Sequence, residues 1–393
     1  MRFPEFHGEW EKCKLGDIAT LTKGSGISKD QRSATGTPCI LYGELYTTYK
    51  SEVINYVVSK TDISDKNLVR SCANDIIIPS SGETAIDIST ARCVLSPDVL
   101  LGGDLNIIRL KDGDGRFFSY QLNGVRKHDI AKIAQGVSVV HLYGESIKGL
   151  TVSFPSNKEQ QKISTLLSLI DERIATQSKL IEKLESLIKG LNDSLYAQYG
   201  GKVLTSFAEL GTSYSGLSGK SAQDFGSGKP FITYLNVYSN NVINENEFQY
   251  VAIKDDEKQN VAEYGDVLFT LSSETPREVG IGSVYLGKEK VYLNSFCFGI
   301  HITNMEVAFS PYLSYYVSST AFRKFIYPYA QGSTRFNLCK ADFEKASIKL
   351  PTLENQKRIY SILSHIDNKI ITERQMLDLY NSQKQYLLRQ MFI

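Results

Sequence analysis

The amino-acid sequence consists of two copies of one plan. Residues 155–197 align without a gap on residues 351–393. Identical pairs in this alignment include Pro155 with Pro351, Gln160 with Gln356, Ile163 with Ile359, Leu167 with Leu363, and Ile170-Asp171 with Ile366-Asp367. Self-similarity of this kind indicates a structural unit that occurs twice. Because 393 residues also exceed the usual length of one domain, we predict two similar units.

The rest of each copy, residues 1–155 and 200–351, has the composition of a globular lobe. These two segments contain nearly all the glycines and every proline. Runs rich in β-branched and aromatic residues, bounded by Gly, Ser or Asn, predict strands at Cys39–Tyr42, Asp75–Pro79, Asn106–Leu110, Lys229–Val237, Asp266–Leu271 and Phe298–Thr303. Short helices are expected around residues 118–135 and 311–329. Each lobe is therefore predicted to be α+β.

The segment that follows each lobe has the apolar spacing of a long helix. Apolar residues recur at alternating steps of three and four, which is the repeat of a coiled coil. The residues predicted to pair the two helices are Ile163, Leu167, Ile170, Ile174, Leu184, Ile359, Leu363, Ile366, Ile370 and Tyr380. Polar residues occupy one matched position of the two stripes, Gln177 and Glu373.

An apolar stripe of this length has to be covered, and the other helix is the obvious partner. We predict an α+β protein in which a pair of long antiparallel coiled-coil helices separates two lobes related by a pseudo-two-fold axis. The predicted domains are residues 1–155, a central helix at 156–199, residues 200–351 and a C-terminal helix at 352–393. The alternative is a compact bundle in which the helices cover the lobes.

No catalytic pattern is convincing. Gly24-Ser25-Gly26 lacks the third glycine of a dinucleotide-binding loop, and Tyr214 stands where a phosphate-binding loop ending at Gly219-Lys220-Ser221 would need glycine. The six cysteines and five histidines do not fall at the spacing of metal ligands. We therefore expect no catalytic or metal-binding residues and no cofactor in this chain, which by itself is not an enzyme.

The sequence has no sign of a membrane protein. The first residues lack the apolar core of a signal sequence, and no stretch approaches the ~20 apolar residues that span a bilayer. A cytoplasmic location is therefore expected.

Two similar lobes suit DNA, since half-sites on a duplex repeat every ~34 Å. The chief candidate DNA-binding residues lie in two matched polar loops: Gln135 and Ser138 in the first lobe, and Gln331, Ser333, Thr334 and Arg335 in the second. Other candidates are polar, basic or aromatic: Lys23, Lys29, Tyr42 and Tyr46 in the first lobe, and Lys220, Tyr234, Asn236, Tyr238 and Arg277 in the second. Gln and Arg can bond adenine and guanine edges. Net charge is only +1, so a basic partner is implied if DNA is the ligand.

Several segments resemble the specificity subunit of type I restriction-modification systems. The opening Arg2-Phe3-Pro4-Glu5-Phe6 is similar to that of the family, as are Gly265-Asp266-Val267-Leu268 and Ala330-Gln331-Gly332-Ser333-Thr334-Arg335. The most specific segment runs from Ile348-Lys349-Leu350-Pro351 to Ile366-Asp367, and Val152-Ser153-Phe154-Pro155 to Ile170-Asp171 repeats it.

The resemblance implies two target-recognition domains that each read one part of a split double-stranded DNA sequence, and two helices that set the gap between them. It also implies two methyltransferase subunits, which would methylate adenine at N6, and two restriction subunits with translocase activity as partners. S-adenosylmethionine, ATP and magnesium would belong to those partners. The first lobe has Val139 where the second has Arg335, so a base contact made by Arg335 has no counterpart at this position of the first lobe.

Two other readings of the residues stay open. The chain could be a duplicated adaptor that binds protein or glycan through its lobes. A lobe could also be an enzyme whose motif is not among those considered.

Overall fold

The computed structural model describes residues 2–63 and 67–392, and these form two compact units. Unit 1 contains residues up to 179 together with 374–393, and unit 2 contains 180–373. Each unit therefore combines one lobe with parts of both long helices. The sequence predicts four domains, with each lobe and each long helix counted separately, and this division stays a prediction.

Unit 1 contains the elements of the first copy. Its strands are β1 (Glu11–Lys14), β2 (Ala19–Lys23), β3 (Arg32–Ser33), β4 (Thr37–Ile40), β5 (Val53–Ile54), β6 (Lys60–Thr61), β7 (Asp75–Pro79), β8 (Ser81–Gly82), β9 (Arg92–Val94), β10 (Leu100–Leu101), β11 (Leu105–Leu110), β12 (Val140–His141) and β13 (Thr151–Phe154). Its helices are α1 (Leu15–Ile18), α2 (Glu44–Thr47), α3 (Ala85–Ile88), α4 (Gly115–Asn123), α5 (Lys127–Ile133), α6 (Gly144–Lys148) and the first part of α7 (Asn157–Tyr199).

A five-stranded sheet in the order β2-β11-β7-β9-β5 is the centre of unit 1. Strand β7 is buried on both faces, as its uninterrupted apolar run predicts. Its side chains alternate between two cores: Ile76 and Ile78 pack in one, and Ile77 packs in the other with Ile107. The first core also contains Leu167 of α7, so the long helix is part of the hydrophobic core of the lobe.

Unit 2 repeats the plan with the second copy. Its strands are β14 (Val203–Thr205), β15 (Gly211–Ser215), β16 (Phe225–Ile232), β17 (Gln249–Val251), β18 (Val267–Thr270), β19 (Ser272–Ser273), β20 (Gly282–Val284), β21 (Tyr292–Leu293), β22 (Cys297–Ile302), β23 (Ala330–Gln331), β24 (Phe336–Leu338) and β25 (Ile348–Leu350). Its helices are α8 (Phe207–Leu210), α9 (Tyr234–Ser239), α10 (Ser310–Tyr316), α11 (Thr320–Ile326) and α12 (Lys340–Lys345), together with residues 180–199 of α7 and residues 353–373 of α13 (Leu353–Met391).

The sheet β15-β22-β18-β20 corresponds to the central sheet of unit 1. Strand β18 of unit 2 corresponds to β7 of unit 1. Strand β18 pairs antiparallel with β22, and β7 pairs antiparallel with β11. The core beside this sheet is aromatic. Its fully buried rings are those of Phe207, Phe269, Phe298, Phe322 and Phe343.

Within unit 1 the two long helices run antiparallel. Lys384 of α13 lies 2.6 Å from Asp171 of α7, measured from Nζ to Oδ1, and Ile163 shares a core cluster with Met391. In unit 2 the guanidinium of Arg358 lies 5.7 Å from the ring centroid of Tyr199. The predicted α+β class, with two similar domains and a long helix between them in the chain, is confirmed.

The predicted strand at Lys229–Val237 was wrong in its second half. Strand β16 ends at Ile232, and α9 begins at Tyr234 because the Thr233 hydroxyl caps the backbone N–H of Asn236 at 3.1 Å. The expected helix around residues 118–135 consists of two, α4 and α5, and around 311–329 of α10, α11 and a 3-10 turn. Within the described ranges, no helix combines the length and apolar character that a membrane span requires.

Candidate nucleic-acid interface

A tight hairpin at residues 134–141, the unit 1 hairpin, contains the predicted Gln135 and Ser138. The backbones of Gln135 and His141 exchange two hydrogen bonds of 2.9 and 2.7 Å. Gly136 has φ of +121°, and a Cβ there would lie 2.1 Å from the Val139 carbonyl oxygen. Only glycine can therefore make this turn without strain. The hairpin pairs with β8, where His141 faces Ser81.

Residues 330–337, the unit 2 hairpin, have the same structure. Gln331 faces Asn337 across the hairpin, and Asn337 in turn faces Ser272 of β19. Gly332 has φ of +136°, and a Cβ there would lie 2.1 Å from the Arg335 carbonyl oxygen. The sequence match of Ala134-Gln135-Gly136 with Ala330-Gln331-Gly332 thus corresponds to a shared backbone geometry.

Both hairpin tips are open to solvent. Gln135 and Ser138 are exposed in unit 1, and Val137 between them has 95% of its surface accessible. Gln331, Ser333, Thr334 and Arg335 are exposed in unit 2. The structure therefore brings these predicted residues together on two matched loops, with side chains that can bond base edges in one loop and a more apolar tip in the other.

Arg335 has two contacts within unit 2. Its Nη2 donates a hydrogen bond of 3.3 Å to the Ser272 hydroxyl, and its guanidinium carbon lies 5.6 Å from the ring centroid of Phe296. Phe296 is itself 54% exposed, which is unusual for an aromatic ring. The sequence analysis did not select Phe296, since a single aromatic residue before a strand carries no signal of its own.

Tyr234 and Tyr238 lie on α9, next to this hairpin. Their rings stack with centroids 6.0 Å apart, and the Tyr234 hydroxyl donates to the Ser272 carbonyl oxygen at 2.8 Å. The Tyr238 hydroxyl donates to Glu278 at 2.8 Å, and this bond raises the pKa of Tyr238 and lowers that of Glu278. Burial raises the pKa of Tyr234. Both hydroxyls therefore stay protonated at neutral pH as donors.

Three other predicted residues of unit 2 lie differently. Asn236 is fully buried, and its amide bonds the backbone carbonyl and N–H of Asn244, at 2.8 and 3.0 Å. Lys220 bonds the Glu257 carboxylate, which lowers the pKa of Glu257. The structure thus places the Asn236 side chain inside the lobe, and the Lys220 ammonium is paired with Glu257. Arg277 is exposed.

In unit 1, Lys29, Tyr42 and Tyr46 line one cavity of about 770 Å³. Glu44 forms part of its wall and is held by the backbone N–H of Leu41, which donates to it at 2.9 Å. Burial raises the pKa of Tyr46. The remaining candidate, Lys23, is exposed at the end of β2 and is not among the residues that line this cavity.

The predicted helix-pairing residues are mostly in cores. Ile163, Leu167 and Ile170 are buried in unit 1, as are Ile359, Leu363 and Ile370 in unit 2. Half-buried positions are Ile174, Leu184, Ile366 and Tyr380. In unit 1 the helical residues pack against the lobe as well as against α13, which the heptad pattern alone did not predict.

Two buried glutamines, which were not predicted as functional residues, attach each long helix to its lobe. The Gln160 side chain donates to the Pro155 carbonyl at 2.8 Å and accepts from the Asp114 N–H at 3.0 Å. Gln356 likewise donates to the Pro351 carbonyl at 2.9 Å and accepts from the Phe309 N–H at 2.8 Å. The sequence did contain a signal for them, because the same residue, glutamine, occupies this position in both copies of the repeat.

Comparisons with known proteins give a consistent result. A family model described as the type I restriction modification DNA specificity domain matches residues 7–186 and again residues 212–379. A Methanocaldococcus jannaschii protein described as the type I restriction enzyme MjaX specificity subunit is 26% identical over 411 residues, which covers 94% of this chain and 89% of that protein. The MjaVIII specificity subunit of the same organism is 24% identical over 204 residues, covering 50% of this chain and 45% of that protein.

Two solved structures share the fold. The S subunit of a type I restriction-modification system from M. genitalium has a TM-score of 0.61 at 16% identity, covering 100% of this chain and 99% of that one. A chain from a structural study of complex assembly in the type I R-M system has a TM-score of 0.60 at 15% identity, covering 99% and 98%. At these identities, the likeness extends to the fold alone.

Proposed function

This chain belongs to the type I restriction-modification specificity family, and we propose that its two target-recognition domains each read one part of a split double-stranded DNA sequence. The observation that carries the proposal is the pair of matched hairpins. Both have the same glycine geometry and the same pairing to a neighbouring strand, while their tips differ in chemistry. A common scaffold with different tips suits two readers of different half-sites.

The specificity subunit of such a system acts with DNA and with methyltransferase and restriction subunits. In our proposal two methyltransferase and two restriction subunits assemble on one copy of this chain. S-adenosylmethionine, ATP and magnesium are bound by those partners and not by this chain. The net charge of +1 supports a complex in which partner subunits supply much of the positive charge that contacts DNA. Because phosphate neutralisation supplies much of the affinity for DNA, a nearly neutral reader needs basic partners.

Determination of the methylated motif tests the proposal. The chain is co-expressed with its methyltransferase subunit in a host free of other adenine methylation, and methylated bases are mapped by single-molecule sequencing. We expect one motif with two specified parts and an unspecified gap. A complex that methylates no such motif, and that shows no sequence preference in gel-shift assays, would contradict the proposal.

A tip exchange locates the two readers. The tripeptides Val137-Ser138-Val139 and Ser333-Thr334-Arg335 have equal length and follow equivalent glycines, so exchanging them keeps both backbones. We expect altered base preference at some positions in each half of the motif and an unchanged gap. An adaptor for protein or glycan would show neither this change nor a steep fall of DNA binding with added salt.

A further inference from the structure

Resting on the proposed function, we infer that Phe296 is a positioning residue that holds Arg335 ready to read a guanine, and that the equivalent positions of the unit 1 hairpin hold no such arginine–phenylalanine pair. Arg335 is the group that would contact the base. Phe296 and Ser272 would determine where its guanidinium lies before DNA arrives.

The contacts of Arg335 restrict a side chain that is otherwise free on the surface. The guanidinium lies 5.6 Å from the centroid of the Phe296 ring, within the range of a cation–π contact, and Nη2 bonds the Ser272 hydroxyl at 3.3 Å. Ser272 is in turn fixed from behind, because the Tyr234 hydroxyl bonds its carbonyl oxygen at 2.8 Å. The arginine is thus placed by an aromatic ring and a hydroxyl on two different segments of unit 2.

A planar guanidinium in this position suits guanine. Arginine bonds O6 and N7 of guanine through two parallel N–H groups, and this is the commonest specific contact in the major groove. A cation–π contact with an aromatic ring restricts the guanidinium while its N–H groups remain available to a base. Because ordering the side chain before binding removes part of the entropic cost of the contact, the ring contributes to discrimination without touching the base.

The repeat shows that the equivalent positions of unit 1 hold neither member of the pair. The backbone N–H of Leu271 bonds the Phe296 carbonyl at 2.8 Å, and that of Ser80 bonds the Asp104 carbonyl at 2.8 Å. Phe296 is the residue directly before β22, and Asp104 is the residue directly before the matched strand β11. Asp104 therefore occupies the place of Phe296.

Val139 occupies the place of Arg335, since each supplies the carbonyl that lies against the hairpin glycine. Two positions far apart in the sequence therefore differ together: arginine and phenylalanine in one unit, valine and aspartate in the other. A carboxylate in place of the ring offers no stacking surface to a guanidinium. The two hairpins should thus read chemically different base pairs.

The test uses the complex of the full chain with its methyltransferase and the motif established for the wild type. Variants are R335A, F296A, F296Y and, in unit 1, D104A as the matched control. Methylation rates are compared on duplexes in which each guanine of the motif is replaced in turn by 7-deazaguanine or by another base. Thermal unfolding of each variant checks that the lobe is folded.

We expect one guanine whose replacement by 7-deazaguanine slows the wild type by about tenfold, as loss of one of two base bonds would. R335A should lose discrimination at this position alone, F296A should lose part of it, and F296Y, which keeps the ring, should retain it. D104A should leave this position unchanged. The guanine should lie in the half-site whose specificity changes with unit 2.

The inference is overturned if F296A discriminates like the wild type, or if R335A weakens methylation of all sequences alike, as a phosphate contact would. These outcomes leave the proposed function intact, because the wild type still methylates a split motif. A wild-type complex without such a motif would instead reject the proposed function and this inference with it.

Discussion

Lys384 of α13 lies with its Nζ 2.6 Å from the Asp171 carboxylate of α7, and the same ammonium bonds Glu52 of the unit 1 lobe. All three side chains are buried, with at most 8% of each residue accessible. Asp171 also accepts hydrogen bonds of 2.8 Å from the hydroxyls of Ser51 and Tyr120. One buried cation therefore joins the lobe, the central helix and the C-terminal helix within unit 1.

Replacing this lysine by methionine should destabilise unit 1 strongly. Methionine has a similar length but leaves the carboxylates of Glu52 and Asp171 buried without their cation. Removal of one partner of a buried ion pair costs about 3–5 kcal/mol. Urea unfolding of Lys384→Met should show this loss, and Lys189→Met, at an exposed position of α7, should change the free energy of unfolding by less than about 0.5 kcal/mol. Equal stability of the two variants would mean that water or a structural rearrangement solvates the carboxylates of Glu52 and Asp171 once the lysine is removed.

The contribution of Lys384 should disappear at high pH. Burial acts to lower the pKa of this ammonium, but the charges of Glu52 and Asp171 outweigh burial and raise it. A group whose pKa is higher in the folded state stabilises fully below its unfolded pKa, which is ~10.4 for lysine. Its contribution then falls as pH rises through the folded pKa.

The measurement is the difference in unfolding free energy between the wild type and Lys384→Met as a function of pH. Taking the difference removes the effect of the buried tyrosines away from this cluster, which also titrate in alkali. Burial holds the pKa of Tyr120, which bonds Asp171, well above its usual range. We expect a constant difference from neutral pH to about pH 10 and a decrease above it. A difference that grows in alkali would contradict the assignment.

The matched glutamines at the helix starts should each contribute to stability. Gln160→Leu would leave the Asp114 N–H and the Pro155 carbonyl without their present partner in a buried environment. The expected cost is about 1–3 kcal/mol. The exposed neighbour Gln161 provides the control, since Gln161→Leu should have little effect. A loss no greater than that of the control would show that water replaces the amide.

The repeat allowed much of this structure to be predicted, whereas contacts between distant segments were not predictable. The apolar run of β7 and the heptad positions such as Leu167 are local patterns, and the structure buries them as expected. The repeat places Lys384 on the apolar stripe, at the position of Ile188, but its partner Glu52 lies more than three hundred residues earlier in the chain. No local pattern encodes such a pair.

The same reason separates the candidate site residues. Gln135 and Gln331 follow from the repeated Ala-Gln-Gly segment, whose glycine signals a turn. Asn236 looked equally suitable as a polar residue near a strand end, but α9 turns its amide inward to bond Asn244. The burial of Asn236 depends on the helix that Thr233 caps, and short-range propensity predicted a strand there instead.

Alanine at the hairpin glycines should impair DNA reading more than folding. In Gly136→Ala and Gly332→Ala, the new Cβ would lie 2.1 Å from a carbonyl oxygen in a backbone with positive φ, so the tip has to move. Because the tips are exposed, we expect little loss of global stability but relaxed specificity in one half of the motif for each variant. Gly190→Ala is the matched control, since Gly190 lies inside α7 and a Cβ there would meet nothing within 4 Å. That variant should gain up to about 1 kcal/mol in unfolding free energy with an unchanged motif. If Gly332→Ala methylates the wild-type motif with unchanged selectivity, the unit 2 hairpin is not a reading element.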